Sequence, residues 1–139
     1  MSKPASVRVT VYVAAGPEIA FKVFTDEIDQ WYRRGPHTLP RGTTSVRFEA
    51  GVGGRLLADD VEMGRVTAWE PGRRLVFCDT RDTTVEVTFE DVVGETKVTL
   101  EHRGLEKLRP ALAEHTAQFG WALIVPWFDE YMKREGSTR

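Results

Sequence analysis

Apolar and polar residues alternate singly along much of the chain before Gly104, then fall into three- and four-residue spacings after Pro110. The first pattern belongs to β-strands with one buried face, the second to a helix. Val7, Val9, Val11 and Val13 alternate with Arg8, Thr10 and Tyr12, which predicts a half-buried strand. Gly16-Pro17-Glu18 opens a short helix, because proline suits the first helical position and glutamate suits the positive end of the helix dipole. Ile19, Ala20, Val23 and Phe24 form its inward face. Thr25 can cap a second short helix, with Asp26 and Glu27 in its first turn and Ile28, Trp31 and Tyr32 as anchors. Residues 33–44 hold two prolines and two glycines and read as a loop.

A run of strands follows. Val46 and Phe48 alternate with Ser45, Arg47 and Glu49, and residues 51–54 make a glycine-rich turn. Strands are predicted at 55–58 and 61–69, with a bulge at Gly64 where the alternation blurs. After the Glu70-Pro71-Gly72 turn, Leu75, Phe77 and Asp79 share one face and Val76 and Cys78 the other. Val85, Val87 and Phe89 alternate with Glu86, Thr88 and Glu90; Val93-Gly94-Glu95 then turns the chain into Val98, Leu100 and His102. Consecutive strands joined by short turns predict an antiparallel sheet, and their segregation from the helices makes the fold class α+β.

Residues 110–133, PALAEHTAQFGWALIVPWFDEYMK, predict the one long helix. Leu112, His115, Phe119 and Leu123 make one stripe, and Trp121, Ile124, Phe128 and Tyr131 a second beside it. Such a helix needs cover on several sides, which a curved sheet of about six to seven strands supplies. Pro126 predicts a kink, since it removes one backbone hydrogen bond and clashes with the turn around Ala122.

Length changes the picture only by bounding it: 139 residues suit a single domain, with its core over residues 7–133. A net charge of −2 without a Lys/Arg block speaks against a nucleic-acid surface. One cysteine excludes an internal disulfide framework. The first ten residues, MSKPASVRVT, hold no apolar signal core, and no run reaches the ~18 apolar residues of a membrane span, so a cytoplasmic protein is expected.

Five strings carry a family resemblance: FTDEIDQWY at 24–32, GGRLLADD at 53–60, GRVTAWEPGRRLVF at 64–77, VTLEHRGL at 98–105 and FGW at 119–121. In this order the chain resembles the helix-grip fold of the START/SRPBCC superfamily, and within it the family similar to the activator of heat-shock protein 90 ATPase. The resemblance implies two short helices after the first strand, a curved antiparallel sheet wrapped around the long C-terminal helix, and binding of a hydrophobic small molecule, cyclase- or dehydratase-type catalysis, or assistance to a chaperone. The long helix departs from the pattern at Pro126, and the chain has no room for the further client-binding domain of the eukaryotic co-chaperone.

The candidate chemistry is sparse. His102 has the inward parity of Val98 and Leu100, and His115 lies on the helix stripe; meeting across a cavity, with Gln118 nearby, they would be polar contacts for a ligand or a general acid/base pair. The plainer reading is two hydrogen-bonded histidines at the edge of the core. Asp79 has inward parity too, and is either a buried carboxylate or a solvated strand end. Cys78 reads as a packed, inert thiol, and Glu86 and Glu90 as solvent groups. His37, His102 and His115 lack metal-ligand spacing, and the glycines at 51, 53 and 54 precede a strand rather than a phosphate-binding helix. No metal, cofactor or assignable catalytic residue is expected.

The leading expectation is a pocket for an apolar small molecule walled by Phe48, Phe77, Val87, Phe119 and Leu123, with His102 and His115 as polar contacts. The second is a protein-interaction module, with Trp127 and Tyr131 forming a surface for a chaperone or a second copy of the chain. No membrane or nucleic-acid partner is expected.

Overall fold

The computed structural model describes residues 5–33, 39, 42–79 and 82–136. Most of the expected 33–44 loop, His37 among it, and most of the N-terminal tail lie outside the described residues. β1 (Ser6–Val13) leads into α1 (Pro17–Asp26) and α2 (Ile28–Trp31). Six strands follow: β2 (Val46–Phe48), β3 (Arg55–Ala58), β4 (Val61–Glu70), β5 (Arg74–Asp79), β6 (Thr84–Val92) and β7 (Glu95–Arg103). A 3-10 turn at Leu105–Lys107 precedes α3 (Pro110–Phe119) and α4 (Trp121–Gly136). The strands form one antiparallel sheet in the order β1-β7-β6-β5-β4-β3-β2, so the first strand returns to pair with the last. This is the α+β helix-grip arrangement: a curled sheet closed by a long C-terminal helical segment, with the short helices after the first strand.

The alternation in the sequence sets which face of each strand is buried. Val85, Val87 and Phe89 of β6 and Val98, Leu100 and His102 of β7 are buried on the concave face, while their neighbours reach solvent. Two irregularities curve the sheet. Opposite β3, Met63 is an extra residue beside Gly64, close to the predicted bulge; opposite β5, Thr67 is a second one. Gly64 also admits a close approach, since a Cβ there would meet the Cys78 carbonyl oxygen at 2.7 Å.

The C-terminal segment corrects one expectation. The helix expected to run unbroken over residues 110–133 is interrupted at Gly120, between α3 and α4, and α4 continues through Pro126. A Cβ on Gly120 would sit 2.3 Å from the Thr116 carbonyl oxygen, so only glycine fits this close to the last turn of α3. The break also divides the packing. α4 joins the main core through Trp121, Ile124, Val125, Phe128, Tyr131 and Met132. α3 belongs to a small satellite core of Leu105, Leu108 and Ala113, with Val7, Leu112 and Ala117 against it.

Polar ties hold the helices to the sheet. The Val46 amide donates to an Asp29 carboxylate oxygen at 2.8 Å, which fixes α2 to β2. Trp31 Nε1 donates to the Val23 carbonyl at 3.2 Å, and the Tyr131 hydroxyl donates to Glu27 at 2.6 Å, joining α4 to the α1–α2 corner. On the convex face a chain of ion pairs crosses the sheet: Arg8–Glu101 at 2.9 Å, Glu101–Arg103 at 3.1 Å, Arg103–Glu86 at 2.6 Å, Glu86–Arg74 at 2.7 Å and Arg74–Glu70 at 3.0 Å. Glu86, expected as a simple solvent group, is the centre of this chain. Arg74 and then Arg103 hold its carboxyl below the usual range, and Arg103 and Arg8 do the same for Glu101.

Candidate functional site

Strand register decides which side chains line the concave face. Val7, His102, Val85, Phe77 and Val66 pair in sequence across five strands, forming one transverse row. The neighbouring row is Val9, Leu100, Val87 and Leu75. His102 is the polar member of the first row and is 1% exposed. Its Nε2 lies 2.8 Å from the hydroxyl of Thr83, which is itself fully buried. Thr83 is held in turn by its backbone, whose carbonyl accepts the Asp79 amide at 2.8 Å. A neutral imidazole and a hydroxyl can each donate or accept, so the pair adapts its proton to whatever a third group offers.

The helix side of this row is Trp121, whose ring meets Phe77 edge-on at 5.1 Å. Phe48 closes on Phe77 from the other side at 5.4 Å. Thr116, on α3, is also buried. Further along the grip the space is filled: Phe24 contacts Trp31 at 5.0 Å, Phe128 at 5.2 Å and Phe89 at 6.0 Å. Trp121 joins this cluster as well, with its ring 6.5 Å from that of Phe24 and 5.5 Å from that of Tyr32. The concave face therefore carries one buried polar pair, Thr83 and His102, at the margin of a continuous aromatic core.

The expected site residues divide accordingly. Phe77, Val87 and His102 are buried on the concave face, and Phe48 is half-buried against the same core. His115 is exposed on α3 with its ring 5.0 Å from that of half-buried Phe119, and Leu123 is 42% exposed. His115 and Leu123 are thus corrected from inward to outward, while His102 is buried. The cause is the close packing of α3, which turns its small residues Ala113 and Thr116 inward. The two aromatic residues considered for core or surface both make internal contacts. Tyr131 is 8% exposed and bonded to Glu27, and Trp127 is half-buried, edge-on to Tyr32 at 5.7 Å with the Arg33 guanidinium 5.6 Å from its ring centre.

Thr83 and Thr116 were missed by sequence reasoning. Thr83 has the parity of Val85 and Val87, so the β6 alternation carried two residues upstream points to it; nothing in the pattern marks Thr116. Asp79 ends β5 half-buried, and Cys78 faces outward with its Sγ 4.0 Å from the Thr84 hydroxyl. Among the described residues no group of three His, Cys, Asp or Glu side chains converges as a metal would require. A cleft of about 400 Å³ lies outside the grip, between the start of α1 and the β4–β5 turn, lined by Gly16, Pro17, Glu18, Ile19, Pro71 and Gly72. It is remote from the His102 row and offers one charged side chain.

The model of the family described as Activator of Hsp90 ATPase homolog 1-like protein matches residues 14–133. The chain belongs to this family. No curated protein matches its sequence. Several solved structures share the AHSA1-like fold. A protein of Nitrosomonas europaea is 14% identical with a TM-score of 0.69, over 96% of this chain and 97% of that one. CalC from Micromonospora echinospora, described as a self-sacrificing resistance protein, is 22% identical with a TM-score of 0.67, over 96% and 97%. An AHSA1-like protein from Aeromonas hydrophila is 20% identical with a TM-score of 0.62, over 94% of each chain. At these identities the likeness is one of fold. Among the described residues, no helix of this AHSA1-like chain is long and apolar enough to cross a membrane.

Proposed function

We propose that this AHSA1-like chain binds a small, mostly apolar molecule at the His102 end of the grip, between the concave face and the helices. The observation that carries the reading is the buried Thr83–His102 pair, set in an otherwise apolar row beside Phe77 and Trp121. Apolar walls with one or two placed polar groups are the usual composition of a small-molecule site. The Phe24–Trp31–Phe128 plug restricts the ligand to this end, so its size is limited and its hydrogen-bonding group points at His102 or Thr83. The protein-interaction reading is weaker, because Trp127 and Tyr131 are engaged in internal contacts. The catalytic reading rests on a single inward histidine, His102.

Two measurements test the proposal. Native mass spectrometry of protein purified from its own host, compared with the denatured sample, should reveal a co-purifying molecule. With that molecule as titrant, fluorescence of Trp121 should report binding. Thr83→Val removes one hydrogen-bonding group at little change of volume and should weaken affinity about tenfold, the equivalent of roughly 1.4 kcal/mol. The outward Leu123→Ser should change it little. Equal effects of both substitutions would refute the placement, and the absence of any bound molecule across host growth conditions would refute the reading.

A further inference from the structure

The two halves of the C-terminal helical segment are held by very different amounts of packing. α4 commits Trp121, Ile124, Val125, Phe128, Tyr131 and Met132 to the main core, and its Tyr131 hydroxyl is tied to Glu27. Among the described residues, no side chain of α3 belongs to that core. α3 buries one alanine and one threonine, Ala113 and Thr116, and rests on Leu105 and Leu108 of the satellite core. Apolar area removed from water sets how strongly an element is held, so releasing α3 costs a small fraction of releasing α4. Both ends of α3 can act as hinges. Leu108 and Arg109 before it, and Gly120 after it, have extended backbone. The 3-10 turn in front is anchored separately, since the Leu105 amide donates to the Ala5 carbonyl at 3.0 Å.

α3 also lies across the His102 row. At its C-terminal end, Trp121 stands against Phe77 in the body of the row. Toward its N-terminal end, Ala113 belongs to the satellite core, against which Val7, the partner of His102 in register, is packed. A helix running between these two points passes over the part of the row that holds Val85 and His102. We infer that α3 is the door to the site proposed above. It swings out about Gly120 and the Leu108–Arg109 link while α4 and the sheet stay in place, and a ligand enters and leaves through the gap. The role of door rests on that reading of the site; the motion itself does not. Such a movement is a local opening that breaks no strand pairing and keeps the internal hydrogen bonds of the helix.

Val85 can report the opening, because it is fully buried in the row beside His102. Val85→Cys in a Cys78→Ser background places the chain's one thiol there, where iodoacetamide reaches it only when the row is uncovered. Alkylation followed by mass spectrometry should proceed at a rate that low urea barely changes, since a local opening exposes little surface. Leu108→Ala removes packing that is lost when the door opens, and should speed alkylation by at least about tenfold. Ile124→Val trims the main core, which the open door leaves intact. It should lower the urea midpoint of unfolding and leave the alkylation rate unchanged. Alkylation that climbs from the outset with the full slope of global unfolding overturns the inference. So does an equal acceleration by both variants, or none by Leu108→Ala. No ligand enters these measurements: they fail only if the motion fails, whereas the absence of any bound molecule overturns the site and the role of door with it.

Discussion

Replacing Gly120 by alanine gives the sharpest test of the packing described above. By helix propensity alone the change should be neutral or favourable, since alanine reduces the freedom of the unfolded chain by an equivalent of about 0.4–1 kcal/mol. The structure reverses the sign. Gly120 closes α3 with extended backbone, and its carbonyl accepts the Leu123 amide at 3.0 Å at the start of α4. A new Cβ would meet the Thr116 carbonyl oxygen at 2.3 Å, its carbon at 3.3 Å and the Thr116 methyl at 3.4 Å. Carbon–oxygen contacts rest at about 3.3 Å or more, so the last turn of α3 must retreat by roughly 1 Å. Thr116 is buried, and retreat on that scale costs about 1–3 kcal/mol. The net expectation is a loss of about 1–2 kcal/mol. For a chain of this size that is a fall of roughly 3–10 °C in Tm. Urea unfolding followed by tryptophan fluorescence, with the slope unchanged, measures it directly. A Gly120→Ala protein as stable as the parent, or more so, would mean that α3 and α4 run on as one helix and that the close approach does not exist.

Two further outcomes follow from the polar contacts. Tyr131→Phe removes the hydroxyl that donates to Glu27 and should cost about 1–3 kcal/mol in urea unfolding; a loss below the error of measurement would make the tie incidental. Glu49 is held from its ordinary 4.5 down to about 2 by hydrogen bonds from Arg55, in the β2–β3 hairpin. A carboxyl with a depressed folded pKa stabilises above its unfolded value and loses that contribution as pH falls through the window from 4.5 towards 2. Glu86 and Glu101 shift in the same direction. Stability should therefore decline on acidification through this window, and less steeply in Glu49→Gln; parallel pH profiles for the two proteins would refute the assignment.

Much of the fold was written in the alternation. The parity of β6 and β7 placed Val85, Val87, Leu100 and His102 on the concave face, and Gly16-Pro17-Glu18 marked the start of α1. The helical segment was legible as helix but not in its orientation. Periodicity finds an apolar stripe, and it assumes that the larger side chains point inward. α3 packs closely, so Ala113 and Thr116 face the interior and His115 faces out. Attention to Pro126 as a kink site also drew the eye from Gly120, the glycine at which α3 ends and α4 begins. Half of the polar pair was visible by parity as His102. Its partner Thr83 lies just before the β6 pattern begins, where the alternation no longer marks a buried face.

The pairing of first strand with last has a temporal consequence. Ser6 waits for Arg103, and Val13 for Thr96, so β1 leaves the ribosome long before its only partner exists. At ordinary synthesis rates of about 5–20 residues per second the delay is on the order of 5–20 s. Throughout it both sides of β1 are bare, and closing the intervening stretch is the slow, non-local step expected of such a topology. The strand that remains one-sided in the finished protein is thus also the one longest without a neighbour during its making.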